Sequence, residues 1–225
     1  MNIAIIPARK NSIRIKNKNI KLFNKKPIIE WSIKVARESN LFKKIYVSTD
    51  SKKISDISIS AGAESLYPRP KKISGNRTTI SEVLVYEINK LKRKIKFNNV
   101  CCIFPTAPLL KKNHLKKGLR KLNKNTDYVF SALKDEKSTL RNFFFYKKKL
   151  LFSNKKFINF RSQDLPLTYK DAGQFYWASK KTWLKKKNIF SLNSKIIILS
   201  NKYFVDIDKI SDWRKALKIL NNEKK

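Results

Sequence analysis

The feature that most constrains this chain is a set of short strand-like segments: mainly apolar runs at residues 2–6, 44–48, 100–104 and 128–132, the first without any alternation, and a shorter, more polar one at 63–67. Such runs read as strands buried on both faces, the habit of parallel sheets. Helical patterns separate them. Pro27 opens an apolar face at Ile28, Trp31, Val35 and Ala36. Ser51 caps a segment through Ile54, Ile57 and Ala61 that Gly62 ends, and Thr79 precedes Ile80, Leu84, Ile88 and Leu91. Leu115, Leu119 and Leu122 mark a fourth helix. Strand and helix at this rhythm predict an α/β fold with a mainly parallel sheet and right-handed crossovers.

The rhythm breaks near Lys134. Residues 140–160 are aromatic and strand-like, with Phe143 to Tyr146, Leu150 to Phe152 and Phe157 to Phe160 separated by turns rich in lysine and asparagine. They predict antiparallel ribbons with no core of their own, and so a subunit interface slightly ahead of a ribbon folded back on the sheet. Strand character returns at residues 174–178 and 196–199, Tyr203 to Val205 leads into Asp206-Ile207-Asp208, and Ser211 begins a last helix striped by Trp213, Leu217 and Leu220. At 225 residues the whole of 1–225 suits a single domain, with about 135–170 as an inserted segment.

Lysine and arginine outnumber aspartate and glutamate by 53 to 16, a net charge of +37. Such a charge attracts polyanions, and nucleic acid is one reading. Against it, the lysines are scattered among apparent loops and helix ends, as at Lys25-Lys26, Lys147 to Lys149 and Lys185 to Lys187, with no nucleic-acid motif. The charge still steers anionic substrates inward. No stretch approaches the ~20 apolar residues that span a bilayer, and the first apolar run is too short for a secretory signal, so a cytoplasmic protein is expected. Cys101 and Cys102, adjacent on one strand, point to opposite faces and read as buried thiols rather than metal ligands. His114, the only histidine, lies among lysines and is expected at the surface.

Two constellations carry chemistry. After the first strand and Pro7 comes a loop with Arg9, Lys10, Ser12, Arg14, Lys16, Lys18 and several asparagines. Ligands of open α/β sheets sit beyond the carboxyl ends of strands, and cations, a hydroxyl and amides there suit a polyphosphate. A solvated basic loop is the plain alternative. Asp206 and Asp208, two apart, can face one hard cation such as Mg²⁺, although Asp208 could instead cap the final helix. Together they suggest magnesium-dependent nucleotidyl chemistry. No dinucleotide or P-loop glycine pattern is present.

These residues resemble a family. Ile5-Ile6-Pro7-Ala8-Arg9 with Ser12, Arg14-Ile15 and Lys18-Asn19-Ile20 is similar to the N-terminal signature of acylneuraminate cytidylyltransferases. Val47 to Asp50, Arg69-Pro70, Pro105-Thr106-Ala107-Pro108 and Asp206-Ile207-Asp208 fall in that family's order. Cys101-Cys102-Ile103 and the stretches Arg161 to Asp164 and Asp171 to Trp177 look like its pseudaminic acid branch. The resemblance implies a three-layer nucleotide-diphospho-sugar transferase-like (Rossmann-like) fold with an inserted antiparallel dimerisation segment, and so a homodimer. It implies transfer of CMP from CTP to a nonulosonic acid for surface-glycan synthesis. The other readings are another keto-sugar acid of the sialic, legionaminic or octulosonic type, or an inactive homologue.

The resemblance also implies roles. Arg9, Ser12 and Lys18 would hold the phosphates, Ala8, Asn19, Arg69 and Thr106 would lie at the nucleotide, and Arg9, Lys18 and Asp208 would be catalytic. Asp206 and Asp208 would hold Mg²⁺; Arg161, Gln163, Asp164 and Gln174 would face the sugar acid. The chain departs from the family at Lys10-Asn11, where two glycines are usual, at Ile13, where lysine is usual, and at Lys170, where the pseudaminic branch often has histidine. Phe104 stands where the sialic acid enzymes have glutamine.

Overall fold

A computed structural model describes residues 1–12, 14–201 and 204–222. Ile13 and Tyr203, both singled out in the sequence, lie outside the described residues. Strand β1 (Asn2–Pro7) is followed by a two-residue ribbon, β2 (Leu22–Phe23) with β3 (Lys26–Pro27), and by α1 (Ile28–Glu38). Then come β4 (Lys44–Ser48), α2 (Lys52–Ser60), β5 (Glu64–Ser65), α3 (Ile80–Leu91), β6 (Asn99–Ile103), α4 (Lys112–Lys121) and β7 (Tyr128–Lys134). The insert holds a hairpin, β8 (Phe143–Tyr146) with β9 (Lys149–Phe152), and the chain returns as β10 (Tyr169–Ser179), α5 (Lys180–Leu184), β11 (Lys195–Leu199) and α6 (Ile210–Asn222).

Helix starts follow the local chemistry. The Ser51 side chain accepts from the Ile54 amide at 3.4 Å, and Thr79 and Glu82 form a reciprocal capping box. Gly62 closes α2 at φ 89°, where a side chain would be strained.

The sheet order is β11-β7-β10-β6-β1-β4-β5. Its neighbours are parallel except where β10 lies antiparallel between β6 and β7. The reversal follows from the path of the chain after β7. The chain leaves β7 at the edge where the parallel strands end and stays there, so it re-enters the sheet running backwards. That edge therefore collects the ends of β1, β4, β6 and β7, the start of β10 and the segment after β11.

Two apolar layers cover the sheet. One packs Ile29, Ile33, Ile54 and Leu115 with Cys101 and Trp177; the other packs Leu84, Ile88 and Trp183 with Cys102 and Tyr176. The two cysteines thus point to opposite faces, both fully buried, and burial holds both thiols up in pKa. A third cluster beneath α6 joins Phe23, Ile28, Ile207, Trp213 and Leu220.

Three local expectations change. The edge strand read over 63–67 is only Glu64–Ser65, since it has a partner on one side alone. Phe157 to Phe160 is not a ribbon: Asn154 accepts from the Lys156 amide at 3.1 Å and starts a 3₁₀ turn, Lys155–Phe157. His114 is half-buried rather than a free surface side chain. Its Nδ1 accepts from the Lys111 amide at 3.4 Å, and its pKa is lowered by burial and then by Lys117 and Lys111.

Candidate active site

Two cavities open along the edge where the parallel strands end. The first, about 350 Å³, is lined by Pro7, Arg9, Ser12, Asn19, Arg69 and Thr106 among others. The second, about 340 Å³, is lined by Asp171, Gln174, Tyr176, Asp206 and Asp208 among others. Both include Arg14, Lys18, Phe104 and Thr106, so the two are adjacent and share a wall. A wider cleft, about 780 Å³, runs along α1 beside Trp31, Lys34 and Arg37 and includes none of the sequence-derived site residues.

The loop after β1 is pinned at several points. The Ala8 amide donates to the Ser48 carbonyl at 2.9 Å, and the Lys10 amide donates to Asp50 Oδ1 at 2.7 Å. Asn19, buried in the short turn Lys18–Ile20, donates from Nδ2 to the Arg9 carbonyl at 2.9 Å. Arg9 reaches across the first cavity to Asn76 Oδ1 at 2.8 Å. Lys10 and Asn11 are not among the described residues with positive φ, so these two positions do not demand glycine; the described left-handed residue of the loop is Asn17, at φ 55°.

Arg69 forms part of the floor of the first cavity. It is 5% exposed, donates from Nε to Ser74 Oγ at 3.1 Å and from Nη1 to the Ser48 carbonyl at 3.3 Å. A buried guanidinium with a remaining face toward a cavity is suited to an anionic or carbonyl-bearing ligand, because it stays charged.

The segment 204–208 closes the second cavity. Ile207 is buried in the cluster under α6, while Asp206 is exposed and Asp208 half-buried. Asp208 does not cap α6: Asp212 accepts from the amides of Asp208 at 3.0 Å and Lys209 at 2.7 Å. The Asp208 carboxylate instead pairs with the Arg14 guanidinium and stands 3.7 Å from Lys18 Nζ. Lys18 Nζ also donates to the Ile207 carbonyl at 2.7 Å. Burial lowers the Lys18 pKa against the pull of Asp208. Partial desolvation by the surrounding side chains, although Asp206 is solvent-exposed overall, and then the neighbouring Asp208 charge, raise that of Asp206.

The expected residues thus separate into two groups. Arg9, Ser12, Lys18, Asn19, Arg69 and Thr106 share the first cavity, with Ala8 directly after its Pro7 wall. Gln174, Asp206 and Asp208 share the second. Arg161, Gln163 and Asp164 are exposed around the turn Ser162–Asp164 and line neither cavity; Arg161 Nε donates to Asp164 Oδ2 at 2.6 Å.

Three members of the site had no role assigned from sequence. Arg14 was visible in the cationic loop, but its partner is 194 residues away. Asp171 and Tyr176 lay within a recognised stretch; the Tyr176 hydroxyl donates to Asp171, whose other oxygen accepts from the Gly173 amide at 2.9 Å.

Comparison with known proteins adds to this geometry. The cytidylyltransferase family model matches residues 3–225. A pseudaminic acid cytidylyltransferase of Campylobacter jejuni is 34% identical over 227 residues, covering 99% of this chain and 98% of that protein. A Helicobacter pylori protein described as pseudaminic acid cytidylyltransferase and UDP-2,4-diacetamido-2,4,6-trideoxy-beta-L-altropyranose hydrolase is 38% identical over 214 residues, covering 94% of this chain and 41% of that one. Among solved structures, a CMP:2-keto-3-deoxy-manno-octonic acid synthetase complexed with CTP superposes with a TM-score of 0.74 at 12% identity, covering 99% of each chain.

Proposed function

The chain belongs to the cytidylyltransferase family of CTP-using nucleotidyltransferases, and we propose that it transfers CMP from CTP to a nonulosonic acid, with pseudaminic acid as the acceptor. The observation that carries this reading is the pair of adjacent cavities sharing Arg14, Lys18, Phe104 and Thr106. A nucleotide in the first and a sugar acid in the second would meet at that shared wall.

In this reading CTP lies over Ala8, Asn19, Arg69 and Thr106, with its phosphates toward Arg9, Ser12 and Lys18. Charge-assisted hydrogen bonds from these groups hold the polyphosphate. The sugar acid occupies the space beside Gln174; Arg161, Gln163 and Asp164 line neither cavity of their own chain and would reach it from the insert of a second copy. The anomeric hydroxyl attacks the α-phosphorus and pyrophosphate leaves, with no covalent protein intermediate. The protein contributes alignment of the two substrates and compensation of charge on the phosphates by Arg9, Arg14 and Lys18.

The donor set suits Mg²⁺. The Asp206 pKa is raised first by desolvation and then by the nearby Asp208 charge, and that repulsion is one a hard cation relieves. Among the described residues no group of three or more acidic, histidine or cysteine ligands occurs, so two carboxylates would be completed by phosphate oxygens and water, as magnesium sites commonly are. When bound, the ion would neutralise phosphate charge.

Phe104 supports the pseudaminic branch. Its ring stands edge-on to Tyr176 at 5.4 Å and presents an apolar wall where a glutamine amide would form a hydrogen bond. The enzyme is proposed to act in the cytoplasm as a homodimer; no helix among the described residues is long and apolar enough to cross a membrane. The test is pyrophosphate release from CTP and Mg²⁺ with pseudaminic acid and N-acetylneuraminic acid in parallel. Release with pseudaminic acid alone is the expected result. Release with neither, from protein that binds CTP, would move the acceptor to another keto acid; no CTP binding would refute the reading.

A further inference from the structure

Beneath the floor of the first cavity, α3 carries a carboxylate that none of the roles above uses. Val83 of α3 lines the cavity. Glu87, one turn on along the same face, is 0% exposed. Its Oε1 accepts from Ser48 Oγ at 2.7 Å. Its Oε2 has no hydrogen-bond partner, although the Lys90 ammonium stands 3.9 Å away at the rim. Burying a carboxylate this fully is costly, and one hydroxyl bond offsets little of the cost. An apolar side chain of similar volume would serve the core better, so Glu87 is poorly explained by stability.

Ser48 supplies the explanation. Its hydroxyl has a single proton, which goes to Glu87, so that its lone pairs face the other way. On that side Arg69 Nη1 lies 3.5 Å from Ser48 Oγ and 3.3 Å from the Ser48 carbonyl. Burial lowers the Arg69 pKa, and the charges of Asp50 and then Glu87 work against that loss. We propose that Glu87 is a positioning residue: through the Ser48 hydroxyl it fixes the Arg69 guanidinium in the floor of the nucleotide cavity. This rests on the reading that Arg69 meets CTP.

The experiment is a double-substitution cycle, read by the Kd for CTP without sugar acid and by Tm. Glu87→Met removes the acceptor while keeping the volume. It should weaken CTP about tenfold in the otherwise unaltered chain and less than twofold beside Arg69→Lys, with Tm unchanged or higher. Glu87→Gln, which keeps an oxygen for Ser48, should recover most of the affinity. If Glu87→Met does not fold, Ser48→Ala takes its place in the same cycle. An equal loss in both backgrounds, or no loss, overturns the role of Glu87. An Arg69→Lys chain with unchanged CTP affinity overturns the placement of Arg69 at the nucleotide, and the role of Glu87 with it.

Discussion

Lys18 Nζ donates to the backbone carbonyl of Ile207 at 2.7 Å. That bond fastens the cationic loop after β1 to the segment bearing Asp206 and Asp208, 189 residues further along the chain. One ammonium thereby sits between the phosphate side and the acidic side of the site.

Replacing it should be costly on both sides. In Lys18→Met, kcat should fall by roughly 10²- to 10³-fold, the usual loss for a donor aimed at developing charge. Pyrophosphate release measures this, and an unchanged kcat/KM would remove Lys18 from the machinery.

The same lysine sets an alkaline limit. Burial lowers its pKa below 10.5 in the folded chain, so activity should decline with rising pH before 10.5 is reached. In Lys18→Arg, which stays charged, that decline should move upward; an unmoved limb assigns it to another group. The sign for stability is opposite. Between the lowered folded value and 10.5 the unfolded chain holds more protons, so stability rises with pH through that window.

Asp208→Ala should abolish turnover and leave the fold intact. Its partners Arg14 and Lys18 have side chains 67% and 19% exposed. The ion pair with Arg14 is screened by solvent and contributes about 0–1 kcal/mol. Circular dichroism and Tm should therefore change little while pyrophosphate release disappears. Normal turnover would refute the assignment of Asp208 to the metal.

Gly118 in α4 tests the packing behind the site. A Cβ there would come within 2.8 Å of Trp177 Cδ1 and 2.9 Å of Phe175 Cε2. Both rings are fully buried in β10, the strand that also carries Gln174 into the second cavity. Gly118→Ala should lower stability by about 1–3 kcal/mol, since large buried rings must shift. A denaturant midpoint equal to that of the parent chain would show that the rings give way freely.

Much of the fold was legible because its strands are local apolar runs and its helices begin at recognisable caps. Ser51, Thr79 and Pro27 each mark a boundary within their own few residues. The Asp206-Ile207-Asp208 pattern was legible as a pair facing one way, since Ile207 is drawn into the core between them. That Asp208 pairs with Arg14, and that Asp212 takes the helix cap, depends on side-chain geometry that spacing alone does not carry. Glu87 was less legible still: it reads as one more polar position on α3, because Ser48, its partner, is 39 residues away. The ribbon predicted at Phe157 failed for a local reason, an asparagine cap that outweighed aromatic strand preference.

The last prediction concerns the hairpin of β8 and β9. Phe145, 74% exposed, pairs with Leu150 across it, and Phe143, Phe144 and Tyr146 are also exposed. A two-stranded ribbon is marginal in water alone, and a contiguous aromatic surface on it is costly to hydrate. In the proposed homodimer a second copy covers these rings. Removing residues 140–160, or placing charge there with Phe145→Glu, should yield monomers by light scattering while residues of the main sheet keep their protection from hydrogen exchange. Because Arg161, Gln163 and Asp164 follow directly after residues 140–160 and line neither cavity of their own chain, activity is the second readout. A Phe145→Glu monomer should lose turnover while binding CTP as before. An unchanged dimer would refute the interface; a fully active monomer would show that these residues need no second copy to serve the acceptor.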